Sequence, residues 1–302
     1  MESEKSFRQA AAVLPPQLRR LAERITDEQK ARAEEFRLRT GYPATLLVDA
    51  GERAIPGAVP VTEEDLRTVL EIASQASAHT VLDRVRNGFV TIRGGHRIGL
   101  CGTAVQENGV IRNLRCLSSL AIRIARPVRG IAGTLLSELR EKGTLQNTLI
   151  LAPPGAGKTT LLRDLIWNLS EGRGGPALRI GVVDERGELA ALWEGRPELD
   201  LGRQTDVMDS CSKAEGLRML LRGMNPQVLA VDEITAPEDV EAILQAVGCG
   251  VSLLATAHGN SVKDLSLRPV YRRLLESGVF RRVILLKRAP DGSRSAAVEE
   301  LT

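Results

Sequence analysis

Four apolar runs in the second half of the chain each end on polar or glycine residues, and most are followed by a helical pattern. They are Leu149–Ala152, Arg179–Asp184, Gln227–Val231 and Val251–Ala257. Short continuous apolar runs of this kind predict strands buried on both faces of a parallel sheet. The segments between them carry apolar residues three and four apart. Leu161, Leu162, Leu165 and Ile166 form one such set, and Leu217, Leu220 and Leu221 form another within Lys213–Met224, which stops before Asn225-Pro226. Pro237–Val247 opens with Pro-Glu-Asp and ends at Gly248, the usual punctuation of a helix. Strand, loop and helix in repetition predict βαβ units.

The first half reads differently. Gln17–Arg39 is a charged helical pattern with Leu18, Leu21, Ile25 and, after a break, Phe36; Tyr42–Val48 then reads as a strand. Val61–Leu66 is a helix start with Thr62 as cap and Asp65 three residues on, and Leu66, Val69, Leu70 and Ala73 share one face. From Phe89 to Ala125 short β-rich runs alternate with Gly and Asn turns, and Arg129–Thr144 reads as a helix bridging the two halves. The expected organisation is an α+β domain over 1–140 and an α/β domain with a parallel sheet over 141–302. At 302 residues and 43% hydrophobic content the chain can bury two cores. Cys101, Cys116, Cys211 and Cys249 have no metal-ligand spacing, and zinc is not expected. The start Met1-Glu2-Ser3-Glu4-Lys5 lacks signal-peptide character, and no apolar run approaches the ~18 residues of a membrane helix. Attachment to a membrane is therefore expected to depend on partners.

The strand endings carry the chemistry. After Leu149–Ala152 come Pro153, Pro154, Gly155, Ala156, Gly157, Lys158, Thr159 and Thr160, a glycine-rich turn opening a helix. Such a loop turns backbone N–H groups and a helix N-terminus toward phosphates. Lys158 is expected on the β- and γ-phosphates of ATP and the Thr159 hydroxyl on Mg²⁺. The first glycine of the G-x-x-x-x-G-K-[ST] pattern is Ala152 here. Gln227–Val231 ends on Asp232, expected to orient the water shell of Mg²⁺, and Glu233, placed to polarise the attacking water. Val251–Ala257 delivers Thr256 and His258, which can sense the γ-phosphate or simply satisfy a local hydrogen bond. Arg179–Asp184 continues into Glu185, Arg186 and Glu188, either a second acidic cluster near Mg²⁺ or the attacking water, or a loop salt bridge.

A glutamate directly after the strand-end aspartate is similar to the RecA-like branch of phosphate-loop proteins, which uses a glutamate base and ring assembly. The order of phosphate loop, Asp-Glu-Arg-x-Glu, Asp-Glu and histidine box resembles the secretion and pilus-motor ATPases. A closer resemblance is to the stage III sporulation AA family of endospore-forming bacteria. It is carried by Gly94-Gly95-His96-Arg97-Ile98-Gly99-Leu100-Cys101-Gly102, Ile122-Arg123-Ile124-Ala125-Arg126, Thr205-Asp206-Val207 and Leu221-Arg222-Gly223-Met224-Asn225-Pro226-Gln227, over roughly residues 80 to 290. The resemblance implies a RecA-like phosphate-loop ATPase domain and a cytoplasmic ATPase of the mother cell. It also implies a homo-oligomer, a hexameric ring, that powers a secretion-like channel through the two membranes around the forespore, with membrane channel proteins as partners.

Charge refines the picture. Residues 1–140 hold 21 Lys+Arg against 16 Asp+Glu, whereas 84–129 hold nine arginines and a single acid, Glu107. Most of these arginines fit a solvated strand face. In secretion ATPases the N-terminal domain packs against a nucleotide held between subunits, so Arg123 or Arg126 is expected to support hydrolysis at a shared site. Two other readings fit the same motifs. A RecA-like DNA-handling ATPase is weakened by 3% aromatic content and a net charge of +3, so nucleic acid is not an expected partner. A nucleotide-switched adaptor with little turnover is weakened by the joint presence of Lys158, Asp232 and Glu233.

Overall fold

A computed structural model describes residues 2–49, 51–74, 88–126, 128–288 and 294–301. Arg84 and Arg86 of the arginine-rich segment lie outside the described residues. In chain order the elements begin with α1 (Glu2–Ala11), α2 (Pro16–Glu23), α3 (Asp27–Arg32), β1 (Ala33–Arg39), β2 (Thr45–Val48) and β3 (Gly51–Ala54). Next come α4 (Glu63–Ser74), β4 (Phe89–Ile92), β5 (His96–Glu107), β6 (Val110–Arg123), β7 (Arg140–Glu141), β8 (Thr144–Leu145) and β9 (Thr148–Ala152). Then follow α5 (Lys158–Ser170), β10 (Ile180–Asp184), β11 (Leu192–Trp193), β12 (Arg196–Pro197), β13 (Thr205–Asp209), α6 (Lys213–Gly223) and β14 (Val228–Val231). The chain closes with α7 (Pro237–Gly248), β15 (Ser252–His258), α8 (Val262–Ser266), α9 (Pro269–Glu276), β16 (Arg282–Arg288) and β17 (Arg294–Glu300).

The chain forms two compact units, Met1–Pro127 with Trp193–Glu198, and Val128–Leu192 with Leu199–Thr302. The division at Pro127/Val128 falls before the expected one after residue 140, because Ala132, Leu135, Leu136 and Leu139 are buried in the core of the second unit.

The first unit is an antiparallel sheet in the order β3-β2-β1-β6-β5-β4 with helices against it, an α+β arrangement. Its core joins Phe7 of α1 to Phe36 of β1, ring centroids 5.1 Å apart, with Leu38, Leu66, Ile98, Leu120 and Ile122. Phe36 thus sits on a strand and not on the helix expected through Arg39. Phe36 and Leu38 face the core two residues apart, opposite Ile122 and Leu120. A register shift between Ala33 and Glu35 disturbs the alternation, and Glu35 is buried where it meets Arg37 and Arg123, which is why the segment resembles a charged helix in sequence. At α4, Thr62 N–H donates to Asp65 Oδ2 at 2.8 Å and Asp65 N–H to Thr62 Oγ1 at 3.1 Å, the reciprocal cap predicted by the spacing.

Glu198, on the short excursion from the second half of the sequence, accepts the Gly94 N–H at 2.7 Å on Oε2. Gly94 has φ +86°, and a Cβ there would lie 2.7 Å from His96 Nε2. His96 is fully buried, and its Nδ1 accepts from Ala125 N–H at 3.0 Å. Burial, reinforced by the charge of Arg126, pushes its pKa down to about 4. In the unfolded chain the imidazole titrates near 6.5, so between pH 6.5 and 4 the unfolded state binds the extra proton and stability falls as pH falls. Urea denaturation at pH 7 and 4.5 is expected to show about 2–3 kcal/mol of acid destabilisation from this group. The same comparison on His96→Gln should lack that component; an equal loss in the variant would remove His96 from the account.

The second unit is a sheet in the order β13-β10-β14-β15-β9-β16-β17, parallel throughout except where β17 runs antiparallel to β16. Alternate residues face opposite sides. Ile150, Val228 and Ala230 pack with Leu161, Leu165 and Ile166 of α5, while Leu149, Leu229 and Val231 pack with Leu217 and Leu220 of α6 and Val240 and Ile243 of α7. Helices therefore cover both faces, as the unbroken apolar runs require. The segment Arg129–Thr144 is not the expected helix but a series of turns closed by the β7–β8 hairpin. Asp164 of α5 takes the N–H groups of Gly130 (3.2 Å) and Ala132 (2.8 Å), and the bonds that follow span mostly three residues: Leu135 N–H to Ala132 O, Glu138 N–H to Leu135 O.

Candidate functional site

The parallel strands end on one edge of the sheet, and that edge gathers the residues singled out in the sequence. β9 is buried along its length and delivers the chain into Pro153 and Pro154. Ala152, at the position of the first glycine, is still a strand residue: it pairs with His258, and its carbonyl accepts the Gly259 N–H at 3.2 Å. Because it keeps ordinary extended backbone, alanine meets no penalty there. The unusual angles fall on Gly155 (φ +73°) and Gly157 (φ +101°), the latter at the N-terminus of α5. Ala156 is buried between them, and Lys158, Thr159 and Thr160 form the first turn of the helix. The N–H groups of that turn have no partner earlier in the helix and carry its positive dipole end, so the loop fits an anion.

Side chains from three strands meet over this loop. Thr159 Oγ1 donates to Asp232 Oδ2 and Thr256 Oγ1 to Asp232 Oδ1, each at 2.6 Å; Thr256 Oγ1 in turn accepts Glu233 N–H at 2.9 Å. Lys158 Nζ lies 2.8 Å from His258 Nδ1. With the ammonium donating, Nδ1 accepts and the imidazole proton sits on Nε2, which faces Glu233 Oε1. Arg186 Nη1 donates to Glu233 Oε2 at 2.9 Å. Lys158 is buried, and burial pushes its pKa down against the pull of Glu233, Asp232 and Glu188. Glu233 holds φ +55°, a left-handed backbone at the turn that leaves β14. A hydroxyl and a carboxylate oxygen side by side form a hard-oxygen pair of the kind Mg²⁺ prefers, so Thr159 and Asp232 fit that ion.

The other expected residues lie elsewhere. Glu185 turns to Lys213, a buried cation at the start of α6, so its carboxylate is engaged in the ion-pair alternative. Arg123, in the first unit, pairs with Glu35 at 3.3 Å and keeps an exposed side chain, whereas Arg126, partly buried in the same unit, donates to the Lys30 carbonyl at 2.7 Å. Burial pushes the Arg126 pKa down.

Two residues of this edge were not singled out in the sequence for what they do. Asp184 is buried and accepts the N–H groups of Glu188, Leu189, Ala190 and Ala191 at 2.8–3.2 Å; burial pushes its pKa up against those four donors. Arg163 of α5 donates to the carbonyls of Glu188 (2.9 Å) and Leu189 (3.1 Å). Together they hold the loop that carries Arg186. The available signal was the presence of charged residues inside otherwise apolar patterns, Arg163 on α5 and Asp184 at the end of β10.

The model of the family described as "Sporulation stage III, protein AA" matches residues 4–299. Stage III sporulation protein AA of Bacillus subtilis (strain 168) is 43% identical over 282 residues, 92% of this chain and 90% of that protein. Among solved structures, the Legionella pneumophila ATPase DotB superposes with a TM-score of 0.62 at 18% identity, covering 95% of this chain and 80% of that one. The pilus retraction motor PilT with bound ADP gives 0.60 at 18% identity, covering 88% and 78%. The two structures share the fold, a RecA-like phosphate-loop α/β unit preceded by a smaller unit.

Proposed function

Because this chain belongs to the sporulation stage III protein AA family, we propose that it is a Mg²⁺-dependent ATP hydrolase powering a secretion-like channel, or its assembly, between mother cell and forespore. The observation that carries the reading is the convergence of Lys158, Thr159, Asp232 and Glu233 on one glycine-rich helix N-terminus. The fold it shares with an ATPase and a pilus motor supports the same reading.

In this reading the N–H groups around Gly155–Thr160 and the Lys158 ammonium bind the β- and γ-phosphates. Thr159 and Asp232 would hold Mg²⁺, which when bound neutralises phosphate charge. Glu233 orients a water and accepts its proton as the water oxygen bonds to the γ-phosphorus. The bond from that phosphorus to the β–γ bridging oxygen breaks, and ADP leaves with its electron pair. His258 links Glu233 to Lys158, so it reports the state of the phosphate site to the base.

Arg123 completes the site from a neighbouring subunit of a homo-oligomeric, hexameric ring. Of the two arginines expected in this role it is the better suited, because its side chain is 70% exposed beside Glu35 whereas the Arg126 guanidinium is partly buried on the Lys30 carbonyl. The ring works in the mother-cell cytoplasm, held at the membrane by channel proteins of the sporulation complex. Purified protein should release phosphate from ATP only when Mg²⁺ is supplied. Arg123→Ala should lower turnover on the order of 10³-fold, the low end for a finger arginine. Mixing Arg123→Ala with Lys158→Ala subunits should restore part of the rate. Normal turnover by Arg123→Ala alone rules out the shared site, and absence of any Mg²⁺-dependent phosphate release rules out the hydrolase.

A further inference from the structure

Both oxygens of the Glu233 carboxylate are engaged: Oε1 by His258 and Oε2 by Arg186. A carboxylate has about four lone-pair sites, but with one partner already on each oxygen an attacking water competes with them, and the departure of one partner clears an oxygen to take its proton. His258 is part of β15 and is tied at its other nitrogen to Lys158. Arg186 is the partner free to go. Its side chain is 54% exposed while that of Glu233 is 16% exposed, and it extends from a turn, Asp184 to Gly187, closed by the Gly187 N–H on the Asp184 carbonyl at 3.1 Å. The backbone just beyond is fixed by Asp184 and by Arg163. Arg163 stands on the same helix that begins at Lys158, so the Arg186 turn and the phosphate loop share one mount. Through Glu233 and His258, Arg186 is linked to Lys158 of the phosphate loop, and its guanidinium matches phosphate oxygens as a fork.

We propose that Arg186 is the γ-phosphate-reading residue of the site. Without a terminal phosphate it occupies Glu233; when ATP binds, its guanidinium moves to the γ-phosphate and frees Glu233 Oε2 for the attacking water. The inference rests on the reading of Gly155–Thr160 as an ATP loop and assigns this role within a single subunit, distinct from that of Arg123. It also gives the loop between β10 and β11 a function: it presents a cation that only the triphosphate can draw away.

Nucleotide affinity measures this without turnover. In Mg²⁺ buffer, calorimetric titrations of wild type, Arg186→Ala and Arg186→Lys with ADP and with a non-hydrolysable β,γ-imido analogue of ATP separate the terminal phosphate from the rest. Arg186→Ala should bind the ATP analogue about tenfold or more weakly, because one charge-assisted contact is lost and Glu233 is left uncompensated beside the γ-phosphate. Its ADP affinity should stay within about twofold of wild type. Arg186→Lys should fall between. Adding Glu233→Gln to Arg186→Ala should recover part of the loss by removing the repelling charge. An unchanged ratio of ATP-analogue to ADP affinity in Arg186→Ala overturns the proposal while leaving the ATP loop intact. Equal weakening of both nucleotides overturns it too, assigning Arg186 a general structural role. If wild type binds neither nucleotide, the ATP reading fails and this inference with it.

Discussion

Lys158→Ala is expected to weaken ATP binding about 10²-fold or more, the scale of one charged contact to phosphate inside a partly dry site. The fold should survive the change. Burial already disfavours the Lys158 ammonium, so its removal relieves a desolvation cost, and Leu161, Leu162 and Leu165 continue to anchor α5 in the core. Titration with a fluorescent ATP analogue, alongside thermal unfolding of the nucleotide-free protein, separates the two effects. Affinity at the wild-type level would refute the phosphate loop. Lost affinity together with a collapsed unfolding midpoint would show instead that Lys158 supports the fold.

Glu233→Gln should leave ATP and Mg²⁺ binding near wild type and slow phosphate release about 10²–10⁴-fold, the usual contribution of a positioned general base. The carboxamide keeps the shape and one acceptor for Arg186 or His258 but cannot take a proton from water. Its binding of nucleotide distinguishes this variant from Lys158→Ala. Turnover at the wild-type rate would move the base elsewhere. Glu185, which pairs with Lys213, and Glu188 are the carboxylates to test next.

The parts legible in the sequence were those coded locally. A parallel strand buried on both faces is an unbroken apolar run, so β9, β10, β14 and β15 could be recognised and the polar residue at each end placed on one edge. The phosphate loop is a contiguous motif, and the Thr62–Asp65 cap spans three residues. Partnerships set by the sheet order were not legible. Arg186 and Glu233, or Lys158 and His258, meet only because β10, β14, β15 and β9 lie side by side in that order. Where one local rule met a tertiary one, the tertiary one won. Glu35 is buried by its arginine partners in a strand that reads as a charged helix. The turns after Arg129 are captured by Asp164, a residue more than thirty positions away.

The return of Trp193–Glu198 to the first unit has a topological consequence. The polypeptide crosses between the units at three places, Pro127/Val128, Leu192/Trp193 and Glu198/Leu199. A cut at the first crossing does not yield two complete halves: the N-terminal fragment lacks the carboxylate that holds Gly94, and the C-terminal fragment carries that carboxylate without its partner. Two of the crossings flank a stretch that begins only a residue or two beyond the loop gripped by Asp184 and Arg163. The units are thus interleaved in sequence, and the stretch that returns to the first unit follows the Arg186 loop directly along the covalent chain.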